Sequence, residues 1–169
     1  MNDVFVVDLM LGRTARWLRI LGLNVLYDPS WTDEDLIKAA SEVNAVILTR
    51  DKALVSRALS IGLNAIEVVG KTEAERIGFL LKTLRLKPVI DPSRSRCPVC
   101  NSPIREASKE EVAGLVPEGV LRRYSKFWVC VNCGKVYWLG SHFRNMRKFL
   151  DSIAHSNTSS SKKCIVEGC

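Results

Sequence analysis

Over the first ninety residues, short apolar runs alternate with amphipathic stretches, and the alternation predicts a succession of strands and helices. Val4 to Val7 is an apolar run of strand length that ends at Asp8. After Gly12, the residues Thr14, Trp17, Leu18 and Leu21 recur at helical spacing until Gly22 stops the pattern. Val25-Leu26-Tyr27 predicts a second strand. Thr32-Asp33-Glu34-Asp35 has the composition of a helix N-terminus, and Leu36, Ala39, Ala40 and Val43 continue it with one apolar face. Ala45 to Leu48 predicts a third strand, followed by a short helix to about Leu59, and Ala65 to Val69 a fourth. Thr72 with Glu75 three residues on is a capping-box sequence, opening a helix to about Leu84 before Pro88 breaks the pattern. Repeated strand-helix units imply an α/β fold: a parallel sheet, right-handed connections and helices on both faces.

Past residue 90 the spacing of cysteines says more than the apolar pattern. Cys97-Pro98-Val99-Cys100 and Cys130-Val131-Asn132-Cys133 are two C-x-x-C pairs separated by 29 residues. Each pair can turn two sulfurs toward one ion, and two such turns complete a tetrahedral set, which predicts a structural zinc site with no position left open for a substrate. Disulfides or a redox pair use the same residues, but neither pair opens a helix as a thioredoxin-like site would. Cys164 and Cys169 lie in a tail that begins near His155 and runs on through Lys163, a composition too hydrophilic to bury a core. The expected organisation is an α/β domain over 1–90, a zinc-bearing module over 91–150 and a disordered tail over 151–169.

Charge sharpens this division. Residues 1–90 hold 12 Lys and Arg against 11 Asp and Glu, whereas residues 91–169 hold 13 against 7, so nearly all of the net +7 belongs to the cysteine-bearing part. A basic module suggests an acidic polymer as partner, and a merely soluble basic surface has the same composition. No apolar run approaches a membrane span, and Met1-Asn2-Asp3 leads straight into a strand, so an intracellular, cytoplasmic protein with no membrane partner and no small-molecule cofactor is expected.

In a parallel sheet the functional crevice lies outside the carboxyl ends of the strands. Asp8 ends the first strand, Asp28, Asp33, Glu34 and Asp35 follow the second, and Asp51 follows the third. Clustered carboxylates at one edge suit a hard cation, magnesium or manganese, and such ions activate water against a phosphodiester. Asp33 and Asp51 also stand where helices begin, and capping explains each of them singly. Residues 1–90 contain no histidine and no cysteine, which excludes a Ser-His or Cys-His nucleophile there, and no glycine-rich phosphate loop follows the first strand.

Three stretches carry a family resemblance: Val6-Val7-Asp8-Leu9-Met10-Leu11-Gly12-Arg13-Thr14-Ala15-Arg16-Trp17-Leu18-Arg19-Ile20-Leu21-Gly22, then Asp33-Glu34-Asp35-Leu36, then Leu48-Thr49-Arg50-Asp51. With Cys97 to Cys100 and the run from Phe127 to His142, they resemble the PIN-like ribonuclease domain family named after the C-terminal domain of the exonuclease Mut-seven. The likeness spans roughly residues 4 to 150. It implies a PIN-like three-layer sandwich around a parallel sheet with a small C-terminal zinc ribbon, and a metal-dependent ribonuclease activity with Asp8, Asp33 and Asp51 as its acidic set.

Charge placement suggests contacts to RNA. Arg13, Arg16 and Arg19 fall along one side of the first helix, roughly opposite Trp17 and Leu21, where cations near the N-terminus oppose the dipole and a phosphate would relieve them. A solvated face gives the same pattern. Arg50 flanks Asp51. In the ribbon, Arg122, Arg123, His142 and Arg144 interleave with aromatics that could stack bases, although Phe127, Trp128 and Trp138 equally suit the small core beneath the zinc. His142 is also a spare nitrogen ligand beside an already complete cysteine set. The expected function is a metal-dependent ribonuclease; the alternative is a catalytically inactive RNA-binding or ribonucleoprotein-associated module.

Overall fold

The computed structural model describes residues 4–160, with side chains placed to residue 155, so Cys164 and Cys169 lie outside the described residues. Four strands, β1 (Val4–Val7), β2 (Asn24–Leu26), β3 (Val46–Thr49) and β4 (Ala65–Glu67), pair in parallel in the order β2-β1-β3-β4. Between them run α1 (Gly12–Ile20), α2 (Asp33–Val43) and α3 (Lys52–Ser60), and α4 (Glu73–Thr83) follows β4.

Alternation along the strands decides which helices cover which face. Phe5, Val7 and Leu48 turn to one side, where they bury against Ala15 and Leu18 of α1 and Leu80 of α4. Val6 and Ile47 turn to the other, against Leu36 and Ala40 of α2 and Leu54 and Ala58 of α3. The result is the expected three-layer α/β sandwich. The caps are those predicted: Thr32 with Asp35, and Thr72 with Glu75, close reciprocal capping boxes. Gly22, at φ +97°, ends α1 as its position suggested, and a side chain there would press on the Arg94 carbonyl.

The cysteine-bearing part is a three-stranded antiparallel sheet, β5 (Ile104–Ala107), β6 (Phe127–Cys130) and β7 (Val136–Trp138), in the order β5-β6-β7. Two short helices, α5 (Lys109–Val112) and α6 (Glu118–Arg123), link β5 to β6. Phe127 is fully buried among Ala107, Val112 and Val116, with Trp138 packed against them, and Trp128 is also buried. These aromatics make the ribbon's core.

The chain departs from the expected organisation at α7 (Ser141–Ser160), which takes in the first ten residues of the stretch expected to be a disordered tail. The reason is an apolar stripe that a polar composition hides: Leu150 and Ile153 bury against Ile77 and Leu81 of α4, while the Phe149 ring stacks on Trp17 of α1 at 4.8 Å between centroids. This helix thus returns to pack on α1 and α4. No helix among the described residues is long and apolar enough to cross a membrane.

Leu150 is 1% exposed, so Leu150→Ala leaves a cavity beneath α7 and is expected to lower unfolding free energy by about 2–5 kcal/mol in a denaturant titration. Asn145→Ala on the exposed side of the same helix should stay within about 0.5 kcal/mol of the parent.

Candidate active site and candidate metal centre

Strand order reverses between β1 and β3: the chain leaves β1 for β2 on one side and returns to β3 on the other. Connections from the two strands therefore part company at their carboxyl ends, the position where α/β sheets open a crevice. Asp8 is the first residue past β1. Its backbone N–H donates to the Leu48 carbonyl at 3.0 Å, extending the β1–β3 pairing by one rung, and its side chain is only 5% exposed. Thr49, buried at the end of β3, donates its hydroxyl to Asp8 Oδ2 at 2.6 Å. The same hydroxyl oxygen accepts the Asp51 backbone N–H at 3.0 Å, so Thr49 ties the two aspartates into one connected edge.

The remaining carboxylates are engaged in local structure. Asp51 Oδ1 accepts from the Ala53 and Leu54 amides at 2.7 and 3.3 Å and caps α3. Asp35 serves the α2 capping box, Glu34 pairs with Arg57 at 2.8 Å, and Asp28 accepts from the Ser30 amide and hydroxyl. Those Ser30 bonds hold the Asp28 carboxyl below its ordinary range, and Arg57 does the same for Glu34. Asp33 sits exposed in the first turn of α2. Among the described residues Asp8, Asp33 and Asp51 do not form a group whose ligand atoms are close enough to share one ion; the four cysteines do.

Of the cations expected at RNA, Arg13 and Arg16 are exposed on α1, just past Asp8. Arg50, also exposed, lines a cleft of about 480 Å³ beyond β3 and β4 together with Glu67, Gly70, Lys71 and Glu75. Arg122 and Arg123 lie exposed on α6 of the ribbon, Arg122 facing Glu118 at 3.7 Å. His142 and Arg144 are exposed in the first turns of α7. Arg19 differs from the expectation. It is not part of a solvated stripe but is buried, 5% exposed, because the ribbon covers that side of α1.

The four cysteine sulfurs all lie within 4.8 Å of one another, with Cys97 and Cys133 at 3.7 Å and Cys100 and Cys130 at 3.4 Å. Tetrahedral zinc with bonds of about 2.3 Å separates its sulfurs by about 3.8 Å, so donor type and spacing both fit a metal such as zinc. The Ser102 backbone amide lowers the Cys100 thiol to about 5, whereas burial pushes Cys130 up to about 12. Tyr137 Oη stands 3.1 Å from Cys97 Sγ, and with the cysteine as thiolate the phenol is the donor; its own pKa is raised by burial and then by that sulfur.

Sequence reasoning missed the side chains that fasten this cluster to the sheet. Arg19 donates through Nε and Nη2 to the Val25 carbonyl at 3.0 and 2.9 Å, and through Nη1 to the Pro98 and Val99 carbonyls at 3.1 and 3.2 Å. Burial lowers its pKa, and the neighbouring Cys97 and Cys100 oppose that shift. Asn101, held at φ +68°, accepts the Val25 N–H at 3.0 Å and donates to Asn24 Oδ1 at 2.7 Å. Thr49 gives no signal of its own beyond its place in Leu48-Thr49-Arg50-Asp51, and Arg19 could not be separated from its exposed neighbours by helical spacing alone.

Removal of the metal should therefore be felt beyond the ribbon. Purified protein is expected to carry one zinc per chain by elemental analysis. Stripping it should raise amide exchange in β5–β7 and also at Val25. Arg19→Met should keep the cysteines but cost about 1.5–3 kcal/mol, read in denaturant, by leaving three carbonyls without their charged donor. Unchanged exchange at Val25 in both experiments would contradict the coupling.

The sequence matches the family model Mut7-C RNAse domain over residues 3–150. No curated protein and no solved structure matches it. The match runs through the sheet, the cysteine cluster and the first half of α7, and on that span the chain belongs to the Mut7-C RNAse domain family.

Proposed function

We propose that this protein is a metal-dependent ribonuclease that hydrolyses RNA phosphodiester bonds at the edge formed by Asp8, Thr49 and Asp51, with zinc as the ion of the cysteine cluster. The observation that carries the reading is Asp8. This carboxyl group is buried, accepts the Thr49 hydroxyl and has no basic side chain within ion-pair distance among the described residues, a setting that a bound cation would suit. Hard oxygen donors suit magnesium or manganese in type, and Asp8, Asp33 and Asp51 are the residues we assign to hold such an ion. These side chains do not form a ready-made shell, since Asp51 Oδ1 is held by two amides and the three carboxylates stand out of reach of one common ion.

The ion, when bound, neutralises the acidic edge and lowers the pKa of water. The chain's own residues do the rest. Thr49 fixes the Asp8 carboxylate by its short hydrogen bond, and its position on β3 keeps that carboxylate at the strand end. Arg13, Arg16 and Arg50 hold phosphates beside this edge, and Arg122, Arg123, His142 and Arg144 hold RNA farther along the chain. A thiolate-bound zinc persists in the reducing cytoplasm, where we place the protein.

A second reading is a catalytically silent RNA-binding or ribonucleoprotein-associated module, and the engagement of Asp51 and Asp35 as helix caps favours it. Cleavage of labelled RNA by purified protein with manganese separates the two. Asp8→Asn and Asp51→Asn should abolish cleavage with the fold intact by circular dichroism, and Thr49→Val should lose about 10–100-fold as an outer-shell partner. Cleavage indifferent to Asp8→Asn removes that residue from the reaction, and absence of cleavage on every RNA supports the binding module.

A further inference from the structure

We propose that the seam between α1 and α7 is a track for the phosphate backbone of single-stranded RNA, leading to the Asp8 edge; the polymer's identity rests on the ribonuclease reading above. The seam is set by the stacked rings of Trp17 and Phe149. At about 100° per residue, Thr14 and Leu21 fall to one side of Trp17, and Arg13 and Arg16 to the other. The first side meets α4: Leu21 packs with Ile77 and Leu81, and Thr14 Oγ1 donates to Glu73 at 2.7 Å. On α7, Leu150 and Ile153 fall to the α4 side of Phe149, and Arg144 and Lys148 to the opposite side. Both banks of the seam away from α4 are therefore basic, with Arg147 beyond them on the outer face of α7.

These cations lack partners of their own. Arg13, Arg16, Arg144, Arg147 and Lys148 are all exposed, and none has a carboxylate within 4.0 Å among the described residues. Helix α1 carries no acidic residue, and Asp151 is the one carboxylate in the sequence of α7. Arg13 stands in the first turn of α1, where a cation opposes the helix dipole. Like charges gathered on two neighbouring helices repel one another, and a linear polyanion lying along the seam relieves every one of them at once. Aromatics in the ribbon do not compete for this role, because Phe127, Trp128 and Trp138 serve its core. At the Asp8 end of the seam Leu9 and Met10 are 53% and 52% exposed, an apolar shelf on which an unpaired base can lie.

The test is fluorescence anisotropy with the full zinc-loaded chain and a labelled single-stranded RNA across a salt series, without magnesium or manganese. Binding is thus read independently of cleavage, and a chain that binds along the seam but cuts nothing leaves this inference standing while the catalytic reading falls. Arg144→Glu with Arg147→Glu and Lys148→Glu should weaken binding at least about tenfold and flatten the log K against log salt slope by about 2, at roughly 0.7 per lost phosphate contact. Arg13→Glu with Arg16→Glu should act in the same direction. Lys38→Glu, on α2 across the sheet, should leave slope and affinity near the parent. Parental affinity in the triple variant overturns the proposal, as does equal loss in Lys38→Glu, which reports net charge alone. Tighter binding to vesicles of anionic lipid than to RNA, lost in the triple variant, overturns it in favour of a membrane surface.

Discussion

The fold depends on how an edge strand is covered. In the order β2-β1-β3-β4, β2 lies at the rim, and a short parallel rim strand exposes amide and carbonyl groups that attract other chains. Here the loop of the first cysteine pair closes that rim. Arg19 saturates the Val25 carbonyl and two carbonyls of the loop together, and Asn101 takes the Val25 amide. A guanidinium suits this position because it is planar and forked and remains charged beside thiolates. Metal geometry in the ribbon, the register at the sheet edge and the placement of α1 are consequently one arrangement and not three.

The acidic edge inherits its position from the same scaffold. Asp8 is where it is because β1 is central, buried on both faces and hydrogen-bonded to both neighbours, so the residue that ends it has little freedom. Close approach reinforces this at Gly12, where a side chain would overlap the Tyr27 hydroxyl, whose own bond runs to the Leu9 carbonyl. Asp33 and Asp51 are held differently. Both belong to helix N-termini, and the Asp51 side chain answers first to helix geometry.

What could be read in the sequence was what is local. Four strands, their helices, both capping boxes and the stop at Gly22 depend on periodicity and neighbouring residues, and they appear within a residue or two of the expected places. The cysteine cluster was equally legible, since C-x-x-C spacing imposes its own geometry. Arg19 was not, because its burial comes from residues about eighty positions away. Nor was the docking of α7: Leu150 and Ile153 look incidental among charged and polar neighbours until α4 supplies the surface they pack on. The places of Asp8 at a strand end and of Asp33 and Asp51 at helix starts were legible, whereas ligand distance depends on side-chain engagements such as the Asp51 cap.

The return of α7 to α1 and α4 also bears on how the chain matures. Trp17, Ile77 and Leu81 emerge early in synthesis, yet the residues that cover them, Phe149, Leu150 and Ile153, arrive some seventy or more positions later. Until then the first ninety residues present an uncovered apolar strip, the kind of surface that chaperones bind. The ribbon must also be threaded and metallated while its two flanking segments wait to meet. A chain cut short before α7 would therefore carry every motif of the acidic edge and still lack the clasp over Trp17, Ile77 and Leu81.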